Sequence, residues 1–576
     1  MENAVADIYT ASRTIDNFSR RLQNVSNIIG SIPQLQGFRD VISSRVTAVV
    51  TASMVAIKAA QLMDEARMTY LMSEQAAYQL ISGDRSFNIG AGIAAVSMGA
   101  TPWWYSQGGA FPTVAGGALG VAGRMMACAY GGDPVNMSTG NFIYEKDDIT
   151  VPGRFPIGFK RFYNSIGEMT GALGKGWTHN FNVNLKERDN IAIIAFEDGH
   201  VQHYRKKDDG TYEASPGLFN VLTKVEDGWV LTTQTMEQYC FDSEGVLQNI
   251  DDLNGNRTKL DYIDGLPAQV TNSCGSLSFK YNKEKLLEEV SDNTGRKVSM
   301  EYTGTLLTNV IHPDGAEHKY EYDKQGNLTK LINPLGIEII VNIFDEHGRT
   351  NEQIFPDGGV YKLEYGDYET TATEQNGNRV IYEFDDMYRT IKQRYTDSEE
   401  QYEYNESNKR TKFTDRNGNV RSYEYDRAGN LTKAIDPLGY EVGIEYNKFN
   451  KPEKITNPVG GVVKQTYDSA GNMTAVIDQL DHEIKFSHDD RGFINVIELP
   501  DNSRNEITYD ECGNITSATD ADGNKTLYEY DILNRVIKSV LPLGAETQYS
   551  YNSRGDISEV MNADGNIQKY EYNING

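Results

Sequence analysis

Through the last three-fifths of the chain, apolar and charged residues alternate in short runs broken at regular intervals by turn residues. Lys319-Tyr320-Glu321-Tyr322 and Ser422-Tyr423-Glu424-Tyr425 show the unit. Period-two alternation puts both rings on one face of a strand and the charge on the other. Tyr-x-Tyr recurs at 402/404, 528/530, 549/551 and 570/572. Two turn signals separate the runs. One follows the tyrosine directly, as in Tyr425-Asp426…Gly429-Asn430 and Tyr467-Asp468…Gly471-Asn472. The other comes about eleven residues later, as in Asn333-Pro334-Leu335-Gly336, Asp436-Pro437-Leu438-Gly439 and Asp522-Gly523. Asn and Gly tolerate positive φ, and Pro pre-sets the first corner of a turn. Each period therefore predicts two short antiparallel strands with a hairpin turn at either end.

The period is about 21 residues. From Tyr404 the lead positions run 404, 425, 446, 467, 488, 509, 530, 551 and 572, and upstream the frame passes through Phe241, Tyr262, Tyr281, Tyr302, Tyr322, Phe344, Tyr365 and Phe384. A fixed period of this length is the mark of a repeat architecture. Seventeen units imply roughly 34 strands, far beyond the ten or so at which open twisted sheets curl or split. At ~4.8 Å per strand the ribbon's edge is roughly 160 Å long, or about 50 Å across if closed once. The fold expected is mainly β, a long antiparallel hairpin ribbon rolled into a hollow, incomplete shell behind an α-helical N-terminal region. A straight solenoid or a propeller is the alternative.

The front of the chain follows a different pattern. Ile8, Ile15, Phe18, Leu22, Val25 and Ile29 form a heptad seam, Gly30-Ser31-Ile32-Pro33 interrupts it, and apolar positions resume from Leu35 to Ile81. Residues 1–85 thus read as an α-helical hairpin, a candidate secretion or docking module. Residues 86–123 hold no charge, nine glycines and two prolines around Trp103-Trp104-Tyr105. Gly and Pro interrupt every apolar run, so 86–131 reads as a connector or plug rather than a stable membrane span.

Charge sharpens this division. The chain of 576 residues carries a formal net charge of −27, with +1 in residues 1–130 and −28 in the remainder. An acidic body argues against nucleic acid, whose recognition needs clustered Lys and Arg. The four cysteines, Cys128, Cys240, Cys274 and Cys512, show neither a disulfide framework nor zinc-ligand spacing. Met1-Glu2-Asn3-Ala4 does not begin like a secretory signal, so export would need a specialised secretion system.

Between the connector and the repeats lie three motifs: Gly132-Asp133-Pro134-Val135-Asn136…Thr139-Gly140-Asn141, Arg161-Phe162-Tyr163-Asn164-Ser165 and Gly174-Lys175-Gly176-Trp177-Thr178-His179-Asn180-Phe181. In this order they resemble the domain that leads into the repeats of bacterial Rhs proteins, here over 132–240. The tyrosine repeats over 241–576 resemble Rhs and teneurin YD repeats. The resemblance implies a β-shell wound around a variable C-terminal toxin used in bacterial competition, with the leading domain helping to seal one end. The family's core closes with P-x-x-x-x-D-P-x-G-L, whose aspartates support self-cleavage. Asp436-Pro437-Leu438-Gly439-Tyr440 approaches it, but Leu431 stands at the leading Pro and Tyr440 at the Leu. It reads as a repeat turn, so the shell is expected to lack its closure and toxin.

Other chemistry is sparse. His200 and His203 lie three apart in an alternating stretch and would point to opposite faces of a strand, poor geometry for one metal. Asp520-Ala521-Asp522-Gly523-Asn524 begins like a calcium loop, but Asp531 stands where the bidentate Glu belongs. No nucleophile elbow or phosphate loop is present. No catalytic, cofactor or metal residue is assigned. The leading expectation is a non-catalytic shell whose partners are a C-terminal toxin or separate cargo chain and, through the helical front, a secretion apparatus or chaperone. The alternative is a secreted or cell-surface adhesin that stacks exposed tyrosines on glycans or proteins, since thirty of the 35 tyrosines follow residue 130.

Overall fold

The computed structural model describes residues 129–572 apart from 133, 168 and 169. The helical hairpin expected over 1–85, and all but the last three residues of the 86–131 connector, lie outside the described residues.

One antiparallel sheet of 35 strands runs from Val221–Val225 to Ile567–Lys569, each strand pairing within the sheet with its neighbours in sequence. It begins ahead of Phe241, where the repeat becomes legible. Strands Val221–Val225 and Gly228–Thr232 extend the ladder without the tyrosine signature.

The repeat is explained by its hydrogen bonds. Asp468 Oδ1 accepts the Ala470 and Asn472 N–H groups at 2.9 and 2.8 Å, while Oδ2 accepts Asn472 Nδ2 at 3.0 Å. Gly471 takes φ of 77° and donates its N–H back to the Asp468 carbonyl at 3.1 Å. Where Asn follows the lead position, its Oδ1 takes over, as Asn447 does for Phe449 and Lys451. An Arg in the fifth place can replace Asn, as Arg535 does on Asp531.

Every lead tyrosine then reaches back one repeat. The Tyr446 hydroxyl donates to the Leu431 carbonyl at 2.9 Å, and Tyr425, Tyr467, Tyr509, Tyr530 and Tyr551 each do the same fifteen residues back. The ladder shifts register immediately before the ring, as at Glu424/Tyr425 and Thr466/Tyr467. Such bulges add twist and bend the strand. The tyrosine therefore links successive hairpins at the point where the ribbon turns.

The opposite face of the ribbon carries cross-strand pairs such as Lys454–Glu445 at 2.7 Å and Lys412–Glu403 at 2.8 Å. Exposed pairs of this kind contribute little, ~0–1 kcal/mol each. The apolar face does the stabilising. Leu260, Val270, Leu277, Val290, Val298, Leu307, Val310 and Leu331 are buried in one core with residues of the leading domain. That domain comprises a three-stranded sheet (Ile143–Val151, Ile157–Asn164, Trp177–His179) and a four-stranded sheet (Asn184–Arg188, Ile191–Ala195, Val201–Lys206, Tyr212–Ala214).

The ribbon also returns onto itself. Asn254 and Asn472, 218 residues apart, exchange side-chain hydrogen bonds at 3.1 and 2.9 Å. Gln234 Nε2 donates to the Ala428 carbonyl at 2.8 Å, Asn256 Nδ2 donates to the Arg491 carbonyl at 3.0 Å, and Arg554 pairs with Asp314. In each case a second-type turn of the earlier stretch meets a tyrosine-type turn of the later one. The two edges of the ribbon are thus complementary, and one coil seats on the next.

Candidate functional site: the seal between the leading domain and the coiled ribbon

Trp177, Tyr163 and Arg161 meet the ribbon at Tyr320, Tyr322 and Leu328. The alternation Phe159-Lys160-Arg161-Phe162-Tyr163 sends Phe159, Arg161 and Tyr163 to one buried face. Trp177 Nε1 donates to the Tyr322 hydroxyl at 2.9 Å, which donates onward to the Leu307 carbonyl at 2.6 Å. The Leu328 N–H donates to the Tyr163 hydroxyl at 2.9 Å. The Trp177 ring packs edge-on against Tyr320, 5.1 Å between centroids.

Arg161 sits fully buried in this aromatic wall, its guanidinium 4.9 Å from the centre of the Trp177 ring. Asp148 receives both its Nε and its Nη2, the latter at 2.9 Å, and Nη2 also reaches the Tyr320 hydroxyl at 3.1 Å. Burial alone would drive the guanidinium toward losing its proton. The Asp148 carboxylate, helped by Tyr320, overturns that and holds the Arg161 pKa well above its ordinary value. Breaking such a pair leaves a bare buried charge, a cost of about 3–5 kcal/mol. Nearby, burial pushes His318 down to about 4 and lowers His312, whose rings meet edge-on at 4.9 Å. His179, fully buried beside Phe159 and Phe279, is likewise pushed down to about 4 by burial.

The domain closes the tyrosine-type edge of the first coil along much of its length. Thr370 Oγ1 donates to the Met137 carbonyl at 2.6 Å, the Ala129 N–H donates to Thr390 Oγ1 at 2.8 Å, and Lys175 Nζ donates to the Gln325 carbonyl at 2.5 Å. The hairpin turn of the domain, Pro152–Pro156, emerges between coils. Its Phe155 carbonyl takes Asn272 Nδ2 at 2.7 Å from the first coil, and its Pro152 carbonyl takes Asn534 Nδ2 at 2.8 Å from the second. Arg154 lies over the Phe493 ring at 4.5 Å. One hairpin therefore pins two coils.

The comparisons with known proteins divide the chain where the structure does. A family model described as a domain of unknown function (DUF6531) matches residues 132–204, and one described as Teneurin YD-shell matches 223–364 and 415–542. This is an Rhs/YD-repeat family protein. Among the curated relatives, the tRNA nuclease WapA of Bacillus subtilis strain 168 is 27% identical over 301 residues, 44% of this chain and 13% of that protein. The double-stranded DNA deaminase toxin A of Burkholderia cenocepacia is 25% identical over 253 residues, 35% of this chain and 17% of that protein. The chain thus spans under a fifth of the length of the curated relatives it matches. Among solved structures, TcdB2-TccC3 without its hypervariable C-terminal region aligns at a TM-score of 0.43 and 11% identity, covering 71% of this chain and 25% of that one. The Tc holotoxin pore of Photorhabdus luminescens aligns at 0.43 and 12%, covering 67% and 26%.

In this Rhs/YD-repeat protein the remaining sequence motifs are structural. Asn136 of the first motif accepts the Ser138 and Thr139 N–H groups at 2.9 and 3.2 Å, folding the loop that meets the ribbon at Gly140. Asp436 Oδ1 caps a hairpin turn through Leu438 and Tyr440, and Asp520 does so through Asp522 and Asn524. His200 is held by Asp198 at 2.5 Å and stacks on Phe196, apart from His203 on the adjoining strand. Among the described residues no group of three or more His, Cys, Asp or Glu is arranged to hold a metal ion. No helix of the described residues is long and apolar enough to cross a membrane. Sequence reasoning did not single out Arg161 or Asp148 as a pair. The signal was present in Arg161 itself, a charge on the apolar side of an alternating strand.

Proposed function

We propose that this chain is a non-catalytic wall that encloses and delivers a toxin in competition between bacteria. The coil-on-coil seam is the observation that carries the reading. Between Asn254 and Asn472 lie about twenty-one strands. At ~4.8 Å each they span roughly 100 Å, or about 32 Å across when closed. An eight-stranded barrel is already just wide enough for its own side chains to fill, so a coil this wide has room for another polypeptide.

Two further observations support it. The leading domain covers the apolar face of the early strands, whereas the same face of the later strands is uneven: Val442, Val463 and Phe486 are buried, but Tyr423, Ile444, Tyr528 and Tyr549 are only half-buried. Cargo would cover that remainder. Secondly, relatives that align with parts of this chain are named for two different chemistries, a nuclease and a deaminase. A chain similar in part to both is better suited to carrying than to either reaction. Release of the cargo outside the producing cell would then follow export through a specialised system.

All lead tyrosines but Tyr572 are half-buried in the ladder, which favours the wall over an adhesin that stacks exposed rings. Protease protection tests the proposal. A toxin domain made with this chain should resist a protease that digests it when it is made alone. Equal digestion in both settings would remove the carrier role.

A further inference from the structure

Cys274 and Cys512 are 238 residues apart in sequence, yet the Cys274 thiol donates to the Cys512 backbone carbonyl at 3.5 Å. Cys274 lies in the second-type turn of the first coil, between Leu266–Asn272 and Gly275–Tyr281, and Cys512 in a tyrosine-type turn of the second, after Arg504–Tyr509. The Phe155 N–H of the pinning hairpin points at the same Cys274 sulfur, 3.4 Å away. Three segments therefore converge on one thiol. A cavity of about 790 Å³, lined by both cysteines together with Asn272, Asn293, Asn514 and Asn534, opens beside the pair. Neither cysteine is in a disulfide in this structure.

We infer that Cys274 and Cys512 form a redox staple across the seam, a disulfide that joins one coil of the wall to the next on meeting a small disulfide oxidant. Cys512 is the more exposed of the two and borders the cavity, so it reacts first. Its thiolate attacks one sulfur of the oxidant, forming a mixed disulfide and expelling one thiol. The Cys274 thiolate then attacks the Cys512 sulfur of that mixed disulfide and expels the second thiol. The pair gives up two electrons and two protons, and the oxidant leaves as two thiols.

The protein supplies proximity and restraint. The Cys274 thiol already touches the Cys512 backbone, so the bond calls for rotation of the two side chains and a shift of the half-buried Cys512 turn. Burial pushes both thiols up from their ordinary pKa, which keeps them protonated and the reaction slow near neutrality. Closure is therefore faster in alkaline solution. Once formed, the bond closes a very long loop, the case in which a crosslink restricts the unfolded chain most.

The test uses the full chain, purified reduced and then exposed to oxidised glutathione. Peptide mapping by mass spectrometry should recover residues 274 and 512 in one crosslinked peptide pair, with the parent mass lower by two hydrogens and no retained glutathione. Cleavage of the oxidised form by a non-specific protease should slow by about tenfold or more relative to the reduced form, and reductant should reverse this. Cys512→Ser should abolish both effects while Cys240→Ser leaves them intact. Separate glutathione adducts on the two cysteines, or a crosslink from either of them to Cys240, would overturn the proposal. The mapping is made on the unsubstituted protein, so a variant that fails to fold does not remove the test.

Discussion

The Tyr467 hydroxyl donates to the Pro452 carbonyl at 2.8 Å, tying each hairpin to the one before it. Burial pushes the phenol of Tyr425, two repeats earlier, up to about 12, so these hydroxyls remain donors across the range in which proteins are studied.

Removing one rung should cost one hydrogen bond to a half-buried carbonyl. Tyr446→Phe keeps the ring and deletes the donor to Leu431. The expected loss is about 1 kcal/mol, seen as a lowered urea midpoint and faster amide exchange in the strands on either side. An unchanged exchange pattern would mean that the ladder bond is incidental.

The turn carboxylate should matter more than its exposure suggests. Asp468→Ala deletes three hydrogen bonds, to Ala470, Asn472 and the Asn472 side chain. About 1–2 kcal/mol should be lost, as for a helix cap of similar design. Asp468→Asn should retain most of the stability, because Asn447 and Asn405 already fill this role in other repeats. Thermal melts of the two variants separate these outcomes.

Asp148 anchors the seal. Asp148→Asn leaves the Arg161 charge buried without its counter-ion and should destabilise the docked leading domain by about 3–5 kcal/mol. Limited proteolysis should then cut within 129–204 well before the ribbon. The double replacement Asp148→Leu with Arg161→Met should recover much of the loss, since an apolar pair removes the stranded charge.

Acid should weaken the fold first through histidine. His179 and His318 are pushed down to about 4 by burial, and His312 and His488 are lowered for the same reason. Above a pH of roughly 6.5 both folded and unfolded chains hold them neutral, so they contribute nothing. As pH falls from there toward about 4 the unfolded chain binds protons that the folded chain refuses, and stability drops. Carboxylates such as Asp314, where burial raises the pKa but the Arg554 pairing and the Ala316 N–H together outweigh it, add their loss only further into acid. The urea midpoint should thus be lower at a pH of about 4.5 than at about 7, and His318→Gln should reduce the difference.

Local features were legible because they repeat. Asp and Gly at fixed offsets from a tyrosine specify a turn within five residues, and alternation specifies the flanking strands. The ribbon's first hairpin, residues 221–232, was not legible because it lacks the lead tyrosine, although Leu222, Trp229 and Leu231 are buried in the core. The meeting of Asn254 with Asn472, or of Cys274 with Cys512, left no trace in a pattern read over one period. Those pairs follow from the accumulated twist of some twenty strands, which no single repeat encodes. Arg161 was visible only as an odd charge among aromatics; its partner Asp148 lies on the neighbouring strand, thirteen residues back.

Electron cryomicroscopy of the native gene product, purified from its own cells, tests the central claim most directly. The account predicts a coiled ribbon whose turns at Gln234, Asn254 and Asp314 seat on those at Ala428, Asn472 and Arg554, with polypeptide density against Tyr423, Tyr528 and Tyr549. A ribbon that does not close on itself, or one whose only added density lies on the lysine–glutamate face, would contradict it.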